Sequence, residues 1–341
     1  MAFLSQGSLK CLVTRCSFKT LIKPKIVCQQ VKPFLTTSTA KSSLSTTSKI
    51  KDIVTQVSDQ LSAMNIPEPK LSANYLVSCC VSNSDRHVPV LARDWEQHQD
   101  TFLDQIQLLK LETLVQCRLA HMPLQYLVGN WDFRDLTLLC RPPVFIPRPE
   151  SEQMVDLIKE YLPSGTGLRL LEIGPGTGAL SLSLLQECEN IGDITCVDRS
   201  KAAIELTNAN AEMLGCSNKL KTVQGRVGTD IELDLDEKYD LIFSNPPYIL
   251  RKDLPKLEPQ ISLYEDLRAL DGGSEGLDVI LPILELAGVK LQAGGFVILE
   301  VDPCHPFILP EKLEKLQHQF SVEKVVKDFA EKDRFMILKK M

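Results

Sequence analysis

LRLLEIGPGTG, residues 168–178, decides the fold. LRLLEI (168–173) is a short apolar run of strand length. Three glycines follow at alternate positions, Gly174, Gly176 and Gly178, and residues 178–188 then take up helical spacing. A strand that passes through glycines into a helix opens a βα unit. Glycine there lets the chain turn sharply and lets a ligand approach main-chain atoms. The spacing is G-x-G-x-G, not the G-x-G-x-x-G of dinucleotide folds, and no Lys-Ser/Thr pair follows as in a P-loop. The loop Glu172, Gly174, Pro175, Gly176, Thr177, Gly178 is therefore a candidate binding loop, but not a diphosphate cradle. A plain strand-to-helix turn is its structural alternative.

Downstream the same alternation continues. Strands are predicted at 193–198, near 219–224, at 239–244 and at 295–301, with helices at 200–214, 277–291 and near 307–317. Two last strands fall near 320–327 and 333–339. Strands that alternate with helices predict an α/β fold with a mostly parallel sheet covered on both faces. The last two strands are close in sequence, so one of them should run antiparallel.

Two strand ends carry chemistry. DITCVD ends in Asp198, whose carboxylate would face the crevice at the carboxyl ends of the strands and could accept from both hydroxyls of a ribose. Ser200 is available to cap the next helix in its place. YDLIFS runs into Asn245-Pro246-Pro247-Tyr248. Neither proline has an N–H to give, so the ladder stops there. The Asn245 side-chain oxygen and the Pro246 carbonyl are suited to accept the two N–H bonds of a planar amino group. The Tyr248 ring is suited to pack on it. The rigid corner keeps both acceptors aimed at little entropic cost. No metal or strong base is needed for that task.

Upstream, residues 123–150 read as a β-hairpin turning at Gly129-Asn130, then a proline-rich connector, RPPVFIPRPE. Residues 52–122 read as a small helical bundle. Apolar positions 53, 54, 57, 61 and 64 mark one helix face, and Ile106, Leu109, Leu114, Val115 and Leu119 mark another. Residues 1–51 hold nine of the 38 basic residues and none of the 44 acidic ones, and are rich in Ser and Thr. That is the composition of an organellar transit peptide, with a basic tail for an anionic partner as the alternative. The remainder stands at −15, a poor non-specific binder of nucleic acid. No apolar run approaches a membrane span. The eleven cysteines form no CxxC pair and the five histidines show no metal-site spacing, so no metal is expected.

Taken together, the glycine loop, the acid after the second strand and NPPY after the fourth resemble the class I S-adenosylmethionine-dependent methyltransferases, a Rossmann-like fold. The resemblance is closest to the HemK/PrmC-type release-factor glutamine N5-methyltransferases. It extends to the helical N-terminal region, to IPRPESE (146–152) and to YEDLRALDGGSEGLD (264–278). It implies four parts: a presequence over 1–51, a substrate-recognition domain over 52–122, a hairpin and connector over 123–150, and a methyltransferase domain over 151–341. It implies S-adenosylmethionine as cofactor, held by residues 172–178, Asp198 and Asn245. Asn245, Pro246, Pro247 and Tyr248 would bind the acceptor glutamine, with Asn245, Pro246 and Tyr248 catalytic. The partner would be a release factor in the mitochondrial matrix, with no nucleic-acid substrate and no membrane. Two departures stand out. The family's acidic residue near adenine is replaced by Gln224-Gly225-Arg226-Val227, and Ser151 stands where threonine is usual. Arg148 and Glu152 are expected to pin the domains, and Glu258 and Glu265 to rim the acceptor site or simply to be solvated. An N6-adenine methyltransferase is the rival reading, and a non-catalytic binding platform a third.

Overall fold

The computed structural model describes residues 44–82, 90–228, 238–316 and 320–341. Most of the stretch read as a presequence, along with His87 and His318, lies outside these residues.

The described chain opens with helices α1 (Ile50–Ala63) and α2 (Pro69–Val81), a 3-10 turn at Asp94–His98, and α3 (Gln105–Leu119). In α1, Ile50, Ile53, Val54, Val57 and Leu61 are buried at three- and four-residue spacing, which gives one apolar face. Ile50 belongs to this packed face although it falls inside the basic stretch. Met64 lies just beyond the helix and is exposed. Helix α3 starts at a capping box, in which Asp104 accepts from the Gln107 amide and Gln107 returns the bond.

The expected face of α3 is only half right. Leu111, Val115, Cys117 and Arg118 are buried, and Leu108, Leu114 and Leu119 pack against the core. Ile106 and Leu109 point outward, 81% and 65% exposed. Apolar residues surround more than one face of this helix, so spacing alone did not select the seam. The selection comes from Arg118. Its guanidinium donates to Ser72 Oγ, Pro67 O and Met122 O, and that turns Leu111 and Val115 toward α1 and α2.

The hairpin is also displaced. Residues read as its first strand form a short helix, α4 (Leu124–Val128), which Gly129 closes at φ +86° with its N–H on Gln125 O. The strands are β1 (Asn130–Phe133) and β2 (Leu136–Leu139), and the turn is Arg134-Asp135 instead of Gly129-Asn130. Arg134 takes a left-handed conformation there. Its side chain fixes the turn with bonds to Asp156 and Glu187.

Helix α5 (Glu150–Glu160), unread in the sequence, leads into β3 (Leu168–Ile173). Then follow α6 (Ala179–Glu187), β4 (Ile191–Asp198), α7 (Lys201–Met213), β5 (Leu220–Gln224), β6 (Tyr239–Ser244), α8 (Pro259–Ser262), α9 (Ile280–Lys290), β7 (Leu291–Glu300), α10 (His305–Leu313), β8 (Phe320–Lys327) and β9 (Asp333–Lys340). The sheet order is β5-β4-β3-β6-β7-β9-β8. The first five strands are parallel, and β9 runs antiparallel to both its neighbours. Alternate residues enter two cores. Leu170, Phe243 and Ile298 pack with Met154 and Leu182, while Leu171, Ile242 and Val297 pack with Ile280, Leu284 and Leu309. Burial on both faces is why these strands read as continuous apolar runs. The chain leaves β3 toward β4 and β5 and then crosses to β6. The strand order thus reverses beside β3, where a parallel sheet opens a ligand crevice at its carboxyl ends.

Candidate active site

That crevice is a cavity of about 290 Å³, lined by the glycine-loop residues Glu172 to Thr177, by Asp198 and by the whole of Asn245-Pro246-Pro247-Tyr248. The ends of β3, β4 and β6 contribute residues 172–177, Asp198 and residues 244–248, while Gly178 stands just behind them. The loop after β5 adds Gly225, Arg226, Val227 and Gly228, with Val279 and Pro282 opposite. Gln224 does not line the cavity, so this wall is formed by backbone and apolar groups together with Arg226.

Each element positions its group for a local reason. Gly174 N–H donates to Val197 O at 2.8 Å, which ties the loop to β4. Gly176 sits at φ +60°, and a Cβ built there would meet nothing within 4 Å, so its backbone is open at the cavity wall. Asp198 Oδ1 accepts from Ser200 N at 2.8 Å and Oδ2 accepts from Gly176 N at 3.4 Å. Burial raises the Asp198 carboxyl above its ordinary value, and these two amides oppose the shift. Ser200 caps α7 through Ala203 N. The cap is therefore filled, and Asp198 is left to the cavity.

Glu172 is buried under the glycine loop, where its carboxylate accepts from Ser181 Oγ. Burial pushes its carboxyl up to about 7, against the bonds from Ser181 and Cys196 that favour the ionised form. A raised folded-state value means that the folded chain holds the proton more tightly than the unfolded chain. The resulting stability is complete below the ordinary 4.5 and is lost as pH rises through about 7. Glu172→Gln keeps the acceptor for Ser181 and removes the buried charge. In urea unfolding at pH 8 the variant should be more stable than the parent, by on the order of 2 kcal/mol. At pH 4 the difference should vanish, and an equal difference at both pH values would refute the assignment.

At the end of β6, Asn245 Nδ2 donates to Ser151 Oγ at 3.0 Å. Ser151 Oγ donates in turn to Glu300 Oε2 at 2.8 Å, and Tyr248 OH donates to Glu300 Oε1 at 2.9 Å. Among the described residues, no donor reaches Asn245 Oδ1 or the Pro246 carbonyl. The corner is backed by the GGSEG loop. A Cβ at Gly276 would come within 2.6 Å of Tyr248 O, so only glycine lets the two backbones meet.

The connector is sewn to the segment that follows NPPY. Arg148 pairs with Glu265 at 2.6 Å, Ile146 N donates to the same carboxylate, and Asp266 N donates to Pro143 O. Glu265 is therefore buried and structural, and does not rim the acceptor site. Glu258 accepts from the exposed Gln260 amide. Glu152 accepts from Arg134 N and so holds the turn of the connector hairpin. Arg118 and Tyr264 tie the helical region to the segment after NPPY, through Gln260 and Ala120 O respectively.

Sequence reasoning missed three contributors. Phe145 lines the cavity with the Arg148 guanidinium 4.7 Å from its ring centroid. Glu300 ends β7, as Asp198 ends β4. Arg199 lines the cavity with Nη2 buried and without a hydrogen-bond partner among the described residues.

Sequence comparison agrees with this architecture. Residues 52–129 match the PrmC N-terminal domain family and residues 136–257 the Methyltransferase small domain family. The chain is 37% identical over 294 residues to human MTRF1L release factor glutamine methyltransferase, covering 81% of this chain and 82% of that protein. It is 32% identical over 232 residues to the release factor glutamine methyltransferase of Thermodesulfovibrio yellowstonii, covering 67% and 81%. To that of Deinococcus radiodurans it is 30% identical over 288 residues, covering 84% and 97%.

The methyl donor is S-adenosylmethionine, and the cavity suits it. Open main chain at Gly176 and a carboxylate at the end of β4 match an amino acid joined to a nucleoside. The orphaned Arg199 Nη2 is a donor that a polar ligand would satisfy. With a class I methyltransferase sheet, this cleft at its switch point and relatives matched over four-fifths of their length, the chain belongs to the release factor glutamine methyltransferase family.

Proposed function

We propose that the protein methylates the side-chain amide nitrogen of the glutamine in the Gly-Gly-Gln loop of a mitochondrial peptide-chain release factor. The observation that carries this reading is the hydrogen bond from Asn245 Nδ2 to Ser151, which turns the NH₂ end of the amide toward Ser151 and leaves Oδ1 without a donor among the described residues. When bound, S-adenosylmethionine supplies an electrophilic methyl on a sulfonium. The chain's task is to hold a weak nucleophile in line with it. An amide nitrogen is weak because its lone pair is delocalised into the carbonyl. Asn245 Oδ1 and the Pro246 carbonyl accept its two N–H bonds, which aims the nitrogen and favours the positive charge that develops on it. Tyr248 walls the amide, with its hydroxyl anchored on Glu300. Glycine loop, Asp198 and Asn245 flank the donor.

A protein substrate agrees with the charge. The body after residue 51 stands at −15, and a factor that enters the ribosome is expected to be basic. The mitochondrial assignment rests on the basic, acid-free first 51 residues and on the human relative.

In a direct test, purified protein is incubated with methyl-labelled cofactor and recombinant mitochondrial release factor. Label should enter the wild-type factor and be absent from a variant whose loop glutamine is alanine. Label that persists on the alanine variant would refute the assignment. Label that nuclease removes from nucleic acid would turn the reading to the N6-adenine alternative.

A further inference from the structure

We propose that Glu300 is a positioning residue that sets the direction of the Asn245 amide through Ser151. The inference rests on the reading of Asn245 as the acceptor-binding group.

The argument is one of proton direction along a chain of hydrogen bonds. Glu300 is 2% exposed and Ser151 is 4% exposed, so water does not supply alternative partners. An ionised carboxylate can only accept. Glu300 Oε2, at 2.8 Å, therefore takes the single proton of the Ser151 hydroxyl. With that proton committed, Ser151 Oγ has only lone pairs left for Asn245. The amide must turn its NH₂ toward Ser151, as it does at 3.0 Å, and its oxygen must face the other way. A terminal amide is nearly symmetric in shape, so packing alone does not distinguish its two orientations. Without Glu300, Ser151 could donate to Oδ1, and the NH₂ of Asn245 would confront the NH₂ of a substrate amide.

The same carboxylate serves the other half of the corner. Its second oxygen accepts from Tyr248 OH at 2.9 Å, and Arg334 lies over the Tyr248 ring at 5.7 Å. Burial raises the Glu300 carboxyl, while Ser151, Tyr248 and Arg334 favour its charged form and Glu150 opposes it. One buried acceptor at the end of β7 thus orients both side chains that flank the two prolines.

Glu300→Gln tests this without creating a cavity or an unpaired charge. Its amide has one accepting end and one donating end, so it cannot serve as acceptor to both hydroxyls. We expect a 10- to 100-fold fall in kcat for methyl transfer to the release factor, with KM and cofactor Kd within threefold. Ser151→Ala should fall similarly. Ser151→Thr retains the hydroxyl and should restore the parent rate. The double variant Ser151→Ala/Glu300→Gln should be no slower than the slower single variant, because both break one chain. The side-chain NH₂ signal of Asn245 in isotope-labelled enzyme, assigned by its loss in Asn245→Ala, should shift in Glu300→Gln and stay in place in Ser151→Thr. A Glu300→Gln rate within threefold of the parent, a loss carried by KM or cofactor affinity, multiplicative losses in the double variant, or an unmoved amide signal would each overturn the proposal. Full activity in Asn245→Ala would overturn the underlying reading as well.

Discussion

Asn245→Ala is expected to lower kcat by roughly 10²–10³-fold while cofactor Kd stays within about threefold. The magnitude follows from what is removed. A group that meets charge developing in the transition state is worth about that much when deleted singly, because it sits preorganised in a site that excludes water. Alanine takes away Oδ1 and leaves Ser151 Oγ facing an empty space. The two prolines keep the backbone of the corner, so the Pro246 carbonyl remains and some activity should persist. Asn245→Asp should be nearly as slow, although it adds acceptors. Its carboxylate would lie 3.0 Å from a Ser151 oxygen whose proton is already held by Glu300, so lone pairs would face each other. Calorimetric titration of the cofactor and single-turnover methylation separate the two quantities. Weak cofactor binding at normal turnover would mean that the acceptor and donor subsites had been exchanged.

The central parallel strands β3 and β6 were legible because each is short and buried on both faces. LRLLEI and YDLIFS begin and end at the residues expected. The elements that misled are those decided from a distance. LQYLV has strand-like side chains, yet it forms helix α4. Tyr126 OH reaches Val144 O in the connector at 2.7 Å, and Gly129 closes the turn. In α3 the choice between two apolar faces rests on buried Arg118, a charged residue that local pattern would assign to solvent. Its partners lie at Pro67, Ser72 and Gln260, up to 142 residues away in sequence.

The site divides in the same way. Glycines, Asp198 and NPPY were legible because each ends a strand and breaks its local pattern, which buried core residues do not do. Glu300 ends a strand too, but its neighbours GFVILEV continue as an ordinary apolar run and nothing flanks it that breaks a ladder. Ser151 drew notice only as a departure from threonine. Its part in the site depends on α5, which puts it beside two strand ends about 94 and 149 residues away. Glu265 misled for the opposite reason. A carboxylate in a polar loop reads as solvated, and only the pairing with Arg148 across the connector buries it.

Asp198→Ala should act on the cofactor instead, raising its Kd by about 100-fold or more while kcat at saturating cofactor falls only a few-fold. A carboxylate that accepts from ribose hydroxyls makes charge-assisted bonds, each worth about 1.5–3 kcal/mol, and alanine removes both. It also releases the Gly176 amide, so the glycine loop loses one of its ties to β4. The Gly174 amide still holds Val197 O, and Ser200 still caps α7, which should keep the fold intact. Asp198→Asn should fall between the two, since one oxygen remains to accept while the new NH₂ opposes the Gly176 N–H. The pH dependence has a definite sign. Burial raises the Asp198 carboxyl, so cofactor affinity should fall on acidification at a higher pH than an exposed aspartate would give. In the alanine variant that acid limb should disappear. Titrations at several pH values check both points, and an acid limb unchanged in Asp198→Ala would assign the titration to another group in the cleft.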